Sequence, residues 1–289
     1  MNFKKNKANY APLTPIDFLK RTANIFPNYI SLISEKKKFT WGETFKRCYL
    51  LASSLKKSNI KAGDVVSILA PNTVAMYEAH FGIPMIGAVL NTINIRLDPK
   101  TISYIIGHSK TKIIFVDTEF LPVIRKAFKI KRYKIPIVAI KDDKKYSHNI
   151  LKEQLYEDFL KKGSLNSYLN FKIKDEWSPI SLGYTSGTTN KPKGVVTHHR
   201  GAYLNAVSNQ LAWNMKKNPT YLWTLPMFHC NGWCFPWTIA ALAGKNICIR
   251  KVNSKSIFKL IKKYEVSHLC GTTVIINLLI KEGIKLKNK

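Results

Sequence analysis

Short apolar runs alternate with amphipathic segments along the first half of the chain. The run "VVSILA" from Val65 and the runs at 113–116 and 135–140 are typical of buried parallel strands. The segment 40–43, "TWGE", has the spacing of a capping box, and apolar residues recur at helical intervals behind it. Further helices are predicted after Asn72 and Asp98. Strands that alternate with helices in this way predict parallel sheets with helices on both faces.

The alternation resumes after a polar, lysine-rich segment, 141–175, in which only 151–160 is predicted to be helical. Beyond it, strands are predicted at 180–184, 221–225, 246–250 and 266–270, and helices at 200–214, after Gly232, at 256–264 and at the end of the chain. We take the end of the polar segment as a domain boundary. The sequence therefore predicts an α/β protein with two sheet-based subdomains and flanking helices, residues 1–175 and 176–289.

Composition is typical of an intracellular globular protein. Hydrophobic residues occupy 45% of the 289 positions. The most apolar region, 228–243, is interrupted by Asn231, Gly232 and Pro236, so no segment reaches the ~18 apolar residues of a membrane span. No secretory signal is visible at the N-terminus. Five cysteines, an odd number, argue against a disulfide framework, and we expect a cytoplasmic protein without a membrane span.

The net charge of +30 raises the hypothesis of nucleic-acid binding. Only seven of the 47 basic residues are arginine, and the lysines are spread over the whole chain. Nucleic-acid readers more often concentrate arginine and aromatic residues on one face or carry a binding motif. We therefore expect solvated lysines and no specific nucleic-acid partner, although the charge can attract small polyanions.

The loop "YTSGTTNKPKG", 184–194, carries the strongest chemical signal. It offers hydroxyl donors, a glycine for close backbone approach and two ammonium groups: Thr185, Ser186, Gly187, Thr188, Thr189, Lys191 and Lys193. Because it follows an apolar strand, it is expected at a strand's carboxyl end, where open α/β sheets bind ligands. Amides, hydroxyls and cations gathered in this way form an anion cradle, and phosphate is the expected guest. The spacing differs from that of a Walker A loop.

Three segments together resemble one family. The loop is similar to the signature phosphate loop of the adenylate-forming enzymes, with Asn190 in place of the usual glycine. The segments "LAPNTVAMYEAHFGIPMIGAVLNTINIRLD" (69–98) and "LWTLPMFHCNGWCFPW" (222–237) resemble two further blocks of that superfamily. The resemblance runs from about residue 11 to 278 and favours bacterial short- and medium-chain acyl-CoA synthetases and plant acyl-activating enzymes.

The resemblance implies a two-step acid–thiol ligase. A short- or medium-chain carboxylic acid attacks the α-phosphate of ATP, and coenzyme A then displaces AMP to form a thioester. By the resemblance, the triphosphate and its Mg²⁺ would be held by Thr185, Ser186, Gly187, Thr188, Thr189 and Lys193. His229 would lie near the carboxylate, and Trp233 would shape the acyl pocket. If the protein comes from a plant, the resemblance implies a peroxisomal or mitochondrial location instead of the cytoplasm.

The resemblance also implies missing parts, because the family's members are roughly twice as long. It stops inside the family's large N-terminal domain, and the small C-terminal domain with its catalytic lysine is absent, so no catalytic residue is assigned. We expect a fragment with little activity alone, and one interpretation is that a second chain completes the fold. Two alternatives are a non-catalytic ATP- or polyphosphate-binding module that docks on a partner chain, and a polybasic nucleic-acid binder.

Residues beside the predicted site also have simpler interpretations. His229 with Cys230 and Cys234 lacks the second ligand pair of a metal site, so we expect buried free cysteines and no metal site. Trp223 and Trp237 are predicted to lie in the core. The pair at 198–199, "HH", is predicted to be exposed at a helix start.

Overall fold

The computed structural model describes residues 4–6, 8–35, 37–166, 173–185 and 191–287. One of its two sheets has five strands: β1 (Ile30–Ser34), β2 (Lys37–Thr40), β10 (Thr220–Trp223), β11 (Lys245–Cys248) and β12 (His268–Leu269). Their spatial order is β12-β10-β11-β1-β2. All pairs are parallel except the hairpin of β1 with β2.

The second sheet has seven strands: β3 (Val65–Leu69), β4 (Val89–Thr92), β5 (Ile113–Asp117), β6 (Ile137–Ile140), β7 (Gln154–Leu155), β8 (Pro179–Thr185) and β9 (Lys193–His198). Their spatial order is β7-β6-β5-β3-β4-β8-β9. Every pair is parallel except β8 with β9. The predicted parallel sheets are thus mixed, because each carries one antiparallel hairpin.

Helices cover both faces of each sheet. They are α1 (Ile16–Ile25), α2 (Trp41–Lys57), α3 (Val74–Gly82), α4 (Pro99–His108), α5 (Leu121–Lys131), α6 (Tyr156–Lys161), α7 (His199–Ala212), α8 (Cys230–Trp233, a single turn with left-handed backbone), α9 (Phe235–Ala241), α10 (Ser254–Tyr264) and α11 (Thr273–Lys287). Short 3₁₀ turns occur at Pro84–Ile86, Thr118–Phe120 and Lys144–Asn149. The predicted α/β class is confirmed.

The hydrophobic core divides into three clusters that define the layers. The largest joins inward-facing residues of both sheets to α1, α2, α3, α7 and α9, which therefore lie between the sheets. A second packs α4 and α5 on the far face of the seven-stranded sheet. A third packs α10 and α11 on the far face of the five-stranded sheet. Alternation along β10 shows the division, since Tyr221 and Trp223 face the central layer and Leu222 faces the outer one.

Two helix starts follow the chemistry of their caps. The Thr40 hydroxyl accepts from the Glu43 amide, and the Glu43 carboxylate accepts from the Thr40 amide at 2.8 Å, so the predicted capping box of α2 is confirmed. Asp98 caps α4 by accepting from the amides of Lys100 and Thr101, with Pro99 in the first turn. Local sequence therefore determines where these helices begin.

Other local predictions were wrong. The helix predicted at 151–160 is confined to α6, because 154–155 form the edge strand β7. A strand, β9, separates the phosphate loop from α7. The histidine pair is not exposed: His199 is fully buried, with Nδ1 2.9 Å from the Thr14 hydroxyl, and His198 caps α7.

Each of the two sheets contains strands from both sides of the predicted boundary at residue 175. Strands β1 and β2 pair into the sheet that contains β10–β12, while β8 and β9 pair into the sheet of β3–β7. The division into residues 1–175 and 176–289 stays a prediction about folding units. Across the described residues, none of the helices is long and apolar enough to cross a membrane.

Candidate active site

The segment that follows β10 is held by polar side chains from the other sheet. Asn72, just after β3, donates to the carbonyls of Trp223 and Leu225, both at 2.9 Å, and accepts from the Met227 amide at 2.8 Å. Thr92, at the end of β4, donates to the Phe228 carbonyl at 2.9 Å. The carboxyl ends of the two sheets are therefore joined at this segment by buried hydrogen bonds.

A left-handed turn follows, from Cys230 to Cys234. Five consecutive residues have φ between +47° and +64°, and Gly232 is the single glycine among them. Left-handed backbone costs an L-residue roughly 1–2 kcal/mol, so the turn persists only where its surroundings impose it. Strain of this kind is found mainly at functional sites.

Three contacts impose the turn. Asn231 donates to the Ser181 hydroxyl of β8 at 2.7 Å, and Asn209 of α7 donates to the Trp233 carbonyl at 2.8 Å. Gly232 lies against the Trp223 ring, where a Cβ would approach Cζ3 to 2.6 Å. The turn is thus fixed by contacts with residues of β8, α7 and β10.

A cavity of about 380 Å³ opens beside this turn, and we call it the acid pocket after the carboxylic acid that the sequence resemblance predicts here. Its walls are formed by Thr92, Ile93, Asn94, Leu97, Ile105, Gly183, Tyr184, Thr185, Val195, Thr197, Gly201, Asn205, Phe228, His229, Cys230, Asn231, Trp233 and Cys234. Among these described residues, lysine, arginine, aspartate and glutamate are absent. The pocket is apolar, with hydroxyls, amides and one imidazole placed on it, which is the usual lining of a small-molecule site.

The β8–β9 hairpin brings the start of the phosphate loop to the pocket. Thr185 pairs with Lys193 as the last registered pair of the ladder, and Tyr184 pairs with Gly194. Residues paired across an antiparallel ladder lie within about 5.5 Å at Cα. Thr185 also lines the acid pocket. The phosphate loop therefore begins at the wall of the pocket.

Tyr184 is held in place by α4. Its hydroxyl lies 2.8 Å from His108 Nδ1, and the two rings meet edge to face with centroids 5.7 Å apart. Tyr104 stacks on the other side of the His108 ring at 5.5 Å. Burial, and next the nearby Tyr104 hydroxyl, raise the pKa of Tyr184 to about 12, so Tyr184 keeps its proton. The neutral hydroxyl can donate to His108, which makes His108 a support for the strand that carries the loop.

The structure brings three of the predicted site residues together. Thr185, His229 and Trp233 line the acid pocket, with Trp233 at its rim and 56% exposed. Lys193 lies at the hairpin, opposite Thr185. The other predicted phosphate contacts, Ser186, Gly187, Thr188 and Thr189, lie outside the described residues. The roles assigned to all eight stay predictions.

The cysteines and tryptophans beside the site are partly as predicted. Trp223 and Trp237 are fully buried, which confirms their place in the core. Cys234 is a buried free thiol, but Cys230 is an exposed one, so its predicted burial was wrong. The reason is the left-handed turn, which directs Cys230 to the pocket. Within the described ranges, no group of three or more His, Cys, Asp or Glu side chains could hold a metal ion.

Several residues that shape the site were missed by sequence reasoning. Asn72, Thr92 and Ser181 anchor the pocket wall, and His108 supports Tyr184. Each of the first three is a buried polar residue at or near an apolar strand, and buried polar groups need partners. A polar residue inside an apolar block was the available signal.

Comparison with known proteins identifies the class to which this fold and site belong. Residues 19–289 match the family described as AMP-binding enzyme. The chain therefore belongs to the AMP-binding enzyme family.

Individual relatives agree with this family. The chain is 46% identical over 288 residues to the acetate/butyrate–CoA ligase AAE7 of Arabidopsis thaliana, named peroxisomal, covering 96% of this chain and 50% of that protein. It is 45% identical over 289 residues to the peroxisomal trans-cinnamate:CoA ligase of Petunia hybrida, covering 95% and 50%. The chain thus spans about half the length of the relatives it matches.

A solved structure shares the fold. The crystal structure of a long-chain-fatty-acid-CoA ligase from Archaeoglobus fulgidus superposes with a TM-score of 0.83 at 18% identity, covering 97% of this chain and 55% of that one. At this identity the likeness concerns the fold alone.

Proposed function

We propose that this chain is the acid- and phosphate-binding part of a short- or medium-chain acid–CoA ligase. The enzyme would join a carboxylate to the α-phosphate of ATP with release of pyrophosphate, and coenzyme A would then displace AMP to give the thioester. The observation that carries the proposal is the position of Thr185. This residue lines the acid pocket and also ends the hairpin strand that leads into the phosphate loop. Membership of the AMP-binding family supports it.

The pocket would select a small acid by size and polarity. Its volume of about 380 Å³ and its lining, apolar apart from a few hydroxyls, amides and the His229 imidazole, suit an aliphatic or small aromatic acid. The His229 imidazole and the amide of Asn205 are two of the lining groups that could donate to a carboxylate. Trp233, at the rim, would exclude water from the bound acid. The acids in the relatives' names differ, and we propose an acid of the acetate-to-butyrate size as the first one to test.

Lys193 and the Thr185 hydroxyl would bind the triphosphate. Both are exposed at the end of the β8–β9 ladder, where an ammonium and a hydroxyl can donate to phosphate oxygens. Holding the phosphates here would place the α-phosphate beside the carboxylate, which is catalysis by positioning. Because lysine and arginine are absent from the described pocket lining, we expect slow turnover from residues 1–289 alone.

Mg²⁺ would reach the site as part of Mg·ATP. The described lining of the pocket contains no carboxylate, so these residues do not fit a metal held by the protein itself. The ion would supply neutralisation of charge on the phosphates. Thr185 and Lys193 would bind phosphate oxygens that the ion leaves free.

Binding of Mg·ATP tests the proposal. We expect calorimetric binding by the wild-type chain, weakened at least tenfold by Lys193→Ala because an ammonium–phosphate contact is lost. Lys216→Ala removes the same charge from an exposed position away from the hairpin and should leave the affinity within twofold. Equal weakening by both substitutions would show nonspecific charge attraction and contradict the proposal.

A second candidate function is a nucleotide-binding module that docks on another polypeptide. It is favoured by exposed apolar side chains on α11, namely Val274, Ile276, Leu278, Ile280 and Ile284. Large apolar faces of this kind are usually covered by a partner. Butyrate-dependent exchange of labelled pyrophosphate into ATP favours the ligase, and tight ATP binding without any exchange favours the module.

The cellular setting is also a proposal. The relative from Arabidopsis is named peroxisomal, and we propose the cytoplasm for this chain, or a peroxisome or mitochondrion in a plant cell. Fluorescence microscopy of the tagged protein distinguishes these compartments. Secretion to the medium would contradict all three.

A further inference from the structure

A second cavity, of about 450 Å³, lies at the carboxyl ends of β1 and β11, and we call it the outer cavity. Its lining is Ile33, Glu35, Asp143, Ile247, Cys248, Ile249, Arg250, Lys251, Ser256, Lys259, Leu260, Lys263 and Tyr264. It shares no lining residue with the acid pocket. Nothing in the proposed ligase reaction uses it.

The floor of the outer cavity is apolar. Ile33 and Ile247 come from the five-stranded sheet and belong to the core cluster under α10. Leu260 and Tyr264 of α10 are half-buried members of the same cluster. Ile33 and Ile247 are themselves buried, so the surface open to an alkyl chain is that of the half-buried Ile249, Leu260 and Tyr264.

One face of α10 carries cations over this floor. Lys259 and Lys263 are four residues apart and therefore lie on the same side of the helix. Lys263 stands 5.0 Å over the Tyr264 ring. In the described part of the chain, neither lysine lies within 4.0 Å of a carboxylate.

The other cations of the outer cavity are already engaged. Arg250 donates to Asp117 at 2.7 and 3.0 Å, to Glu119 at 2.9 Å and to Asp142 at 3.1 Å. Lys251 lies 3.9 Å from Glu119. Asp143 accepts from the Lys145 amide as a helix cap. Glu35 lines the rim as a further carboxylate. The two lysines of α10 are therefore the cations left for a ligand.

We propose that the outer cavity binds an amphiphilic carboxylate, with its alkyl chain on the apolar floor and its head paired with Lys259 and Lys263. An apolar floor beside cations without carboxylate partners suits a ligand that has both an alkyl tail and an anionic head. The volume lies in the ~300–1,000 Å³ range of small-molecule sites. The proposal is independent of the ligase reaction, because the two cavities have separate walls.

Dodecanoate is the probe, titrated calorimetrically against the full chain in 0.15 M salt. We expect one-to-one binding that weakens at least tenfold in Lys259→Glu/Lys263→Glu. The matched control is Lys255→Glu/Lys262→Glu, which changes the same charge on the same helix at exposed positions outside the cavity; its affinity should stay within threefold. Ser256→Trp keeps the charge but fills the cavity, and it should abolish binding.

Two further measurements vary the length of the fatty acid and test whether ATP competes with it. Decanoate should bind more weakly than dodecanoate by about fifteenfold, since it lacks two methylenes and each buried methylene contributes a factor of about four. Equal weakening by the two double variants, no effect of Ser256→Trp, or no effect of chain length would each overturn the proposal. Displacement of dodecanoate by ATP would show a phosphate site instead. Loss of binding in Trp233→Ala would place the ligand in the acid pocket.

Discussion

The acid pocket and the outer cavity have similar volumes, about 380 and 450 Å³, but opposite construction. The acid pocket is shaped by strained backbone and has no lysine, arginine, aspartate or glutamate among its described lining. The outer cavity lies beside a regular helix and carries arginine, three lysines and two carboxylates. Strain fixes side chains in one geometry, whereas flexible lysines adapt to a head group. This difference supports the two proposals: a reaction site with fixed geometry in the acid pocket, and a less selective binding site in the outer cavity.

The largest expected effect comes from adding one methyl group to the strained turn. Gly232→Ala places a Cβ 2.6 Å from Trp223 Cζ3 at a φ of +57°, so we expect the free energy of unfolding to fall by about 2–4 kcal/mol. Gly63 also has positive φ, +84°, but open space around it. Gly63→Ala should cost only about 1 kcal/mol. Urea denaturation measures both, and equal losses would mean that the turn is not tightly packed.

The next effect concerns the hydrogen bonds of Asn72, which join the two sheets beside the acid pocket. Asn72→Ala leaves two carbonyls and the Met227 amide without their partner, so we expect a loss of about 2–3 kcal/mol in the free energy of unfolding. Butyrate binding should weaken as well, whereas dodecanoate binding in the outer cavity should not change. An unchanged urea midpoint would show that Asn72 does not hold this segment.

A smaller effect is expected from the support of the phosphate hairpin. Tyr184→Phe removes the hydroxyl that meets His108, so affinity for Mg·ATP should fall about three- to tenfold, the equivalent of one hydrogen bond. Tyr104→Phe keeps the ring that stacks on His108 and serves as the control. Calorimetry that finds the two variants alike would remove His108 from its supporting role.

The smallest effect is the response of the free energy of unfolding to pH. Burial lowers the pKa of His80 to about 4, and burial followed by the charge of His198 lowers the pKa of His199 to about 4. In the unfolded chain these histidines bind protons near pH 6.5. The unfolded state therefore holds more protons between pH 6.5 and 4, and stability falls as the pH drops through this window.

His199→Gln tests this dependence. It should flatten the plot of unfolding free energy against pH between 6.5 and 5 by at most about 1.4 kcal/mol per pH unit. Because no histidine is found among the described residues of the outer cavity, His199→Gln should bind dodecanoate as the wild type does at each pH of the same range. Parallel plots for wild type and variant would contradict the assignment.

Elements whose signal is local could be predicted from the sequence. The capping box at Thr40 and the Asp98 cap determine the starts of α2 and α4. Strands β3 and β5 are continuous buried runs. The hairpin strand β9 could not be predicted, because Val195 and Val196 are half-exposed and the strand depends on pairing with β8.

The candidate site was predictable only in its parts. The loop and His229 stand out through motif and resemblance, but the left-handed turn has a single glycine in five residues. Its conformation depends on Ser181, which is 50 residues away from Asn231, and on Asn209. Such long-range hydrogen bonds leave no local pattern. The same holds for the contact of His108 with Tyr184, 76 residues apart.

The central claim is that the acid and the phosphate bind side by side in the acid pocket and at the β8–β9 hairpin. The most direct measurement is the affinity for 5′-O-(N-butyrylsulfamoyl)adenosine, in which a sulfamate replaces the phosphate of butyryl adenylate, compared with that for AMP. Because linked ligands for adjacent sites bind with a raised effective concentration, we predict at least a hundredfold tighter binding than AMP, with most of the gain lost in His229→Ala. Equal affinities for the two compounds would contradict the claim.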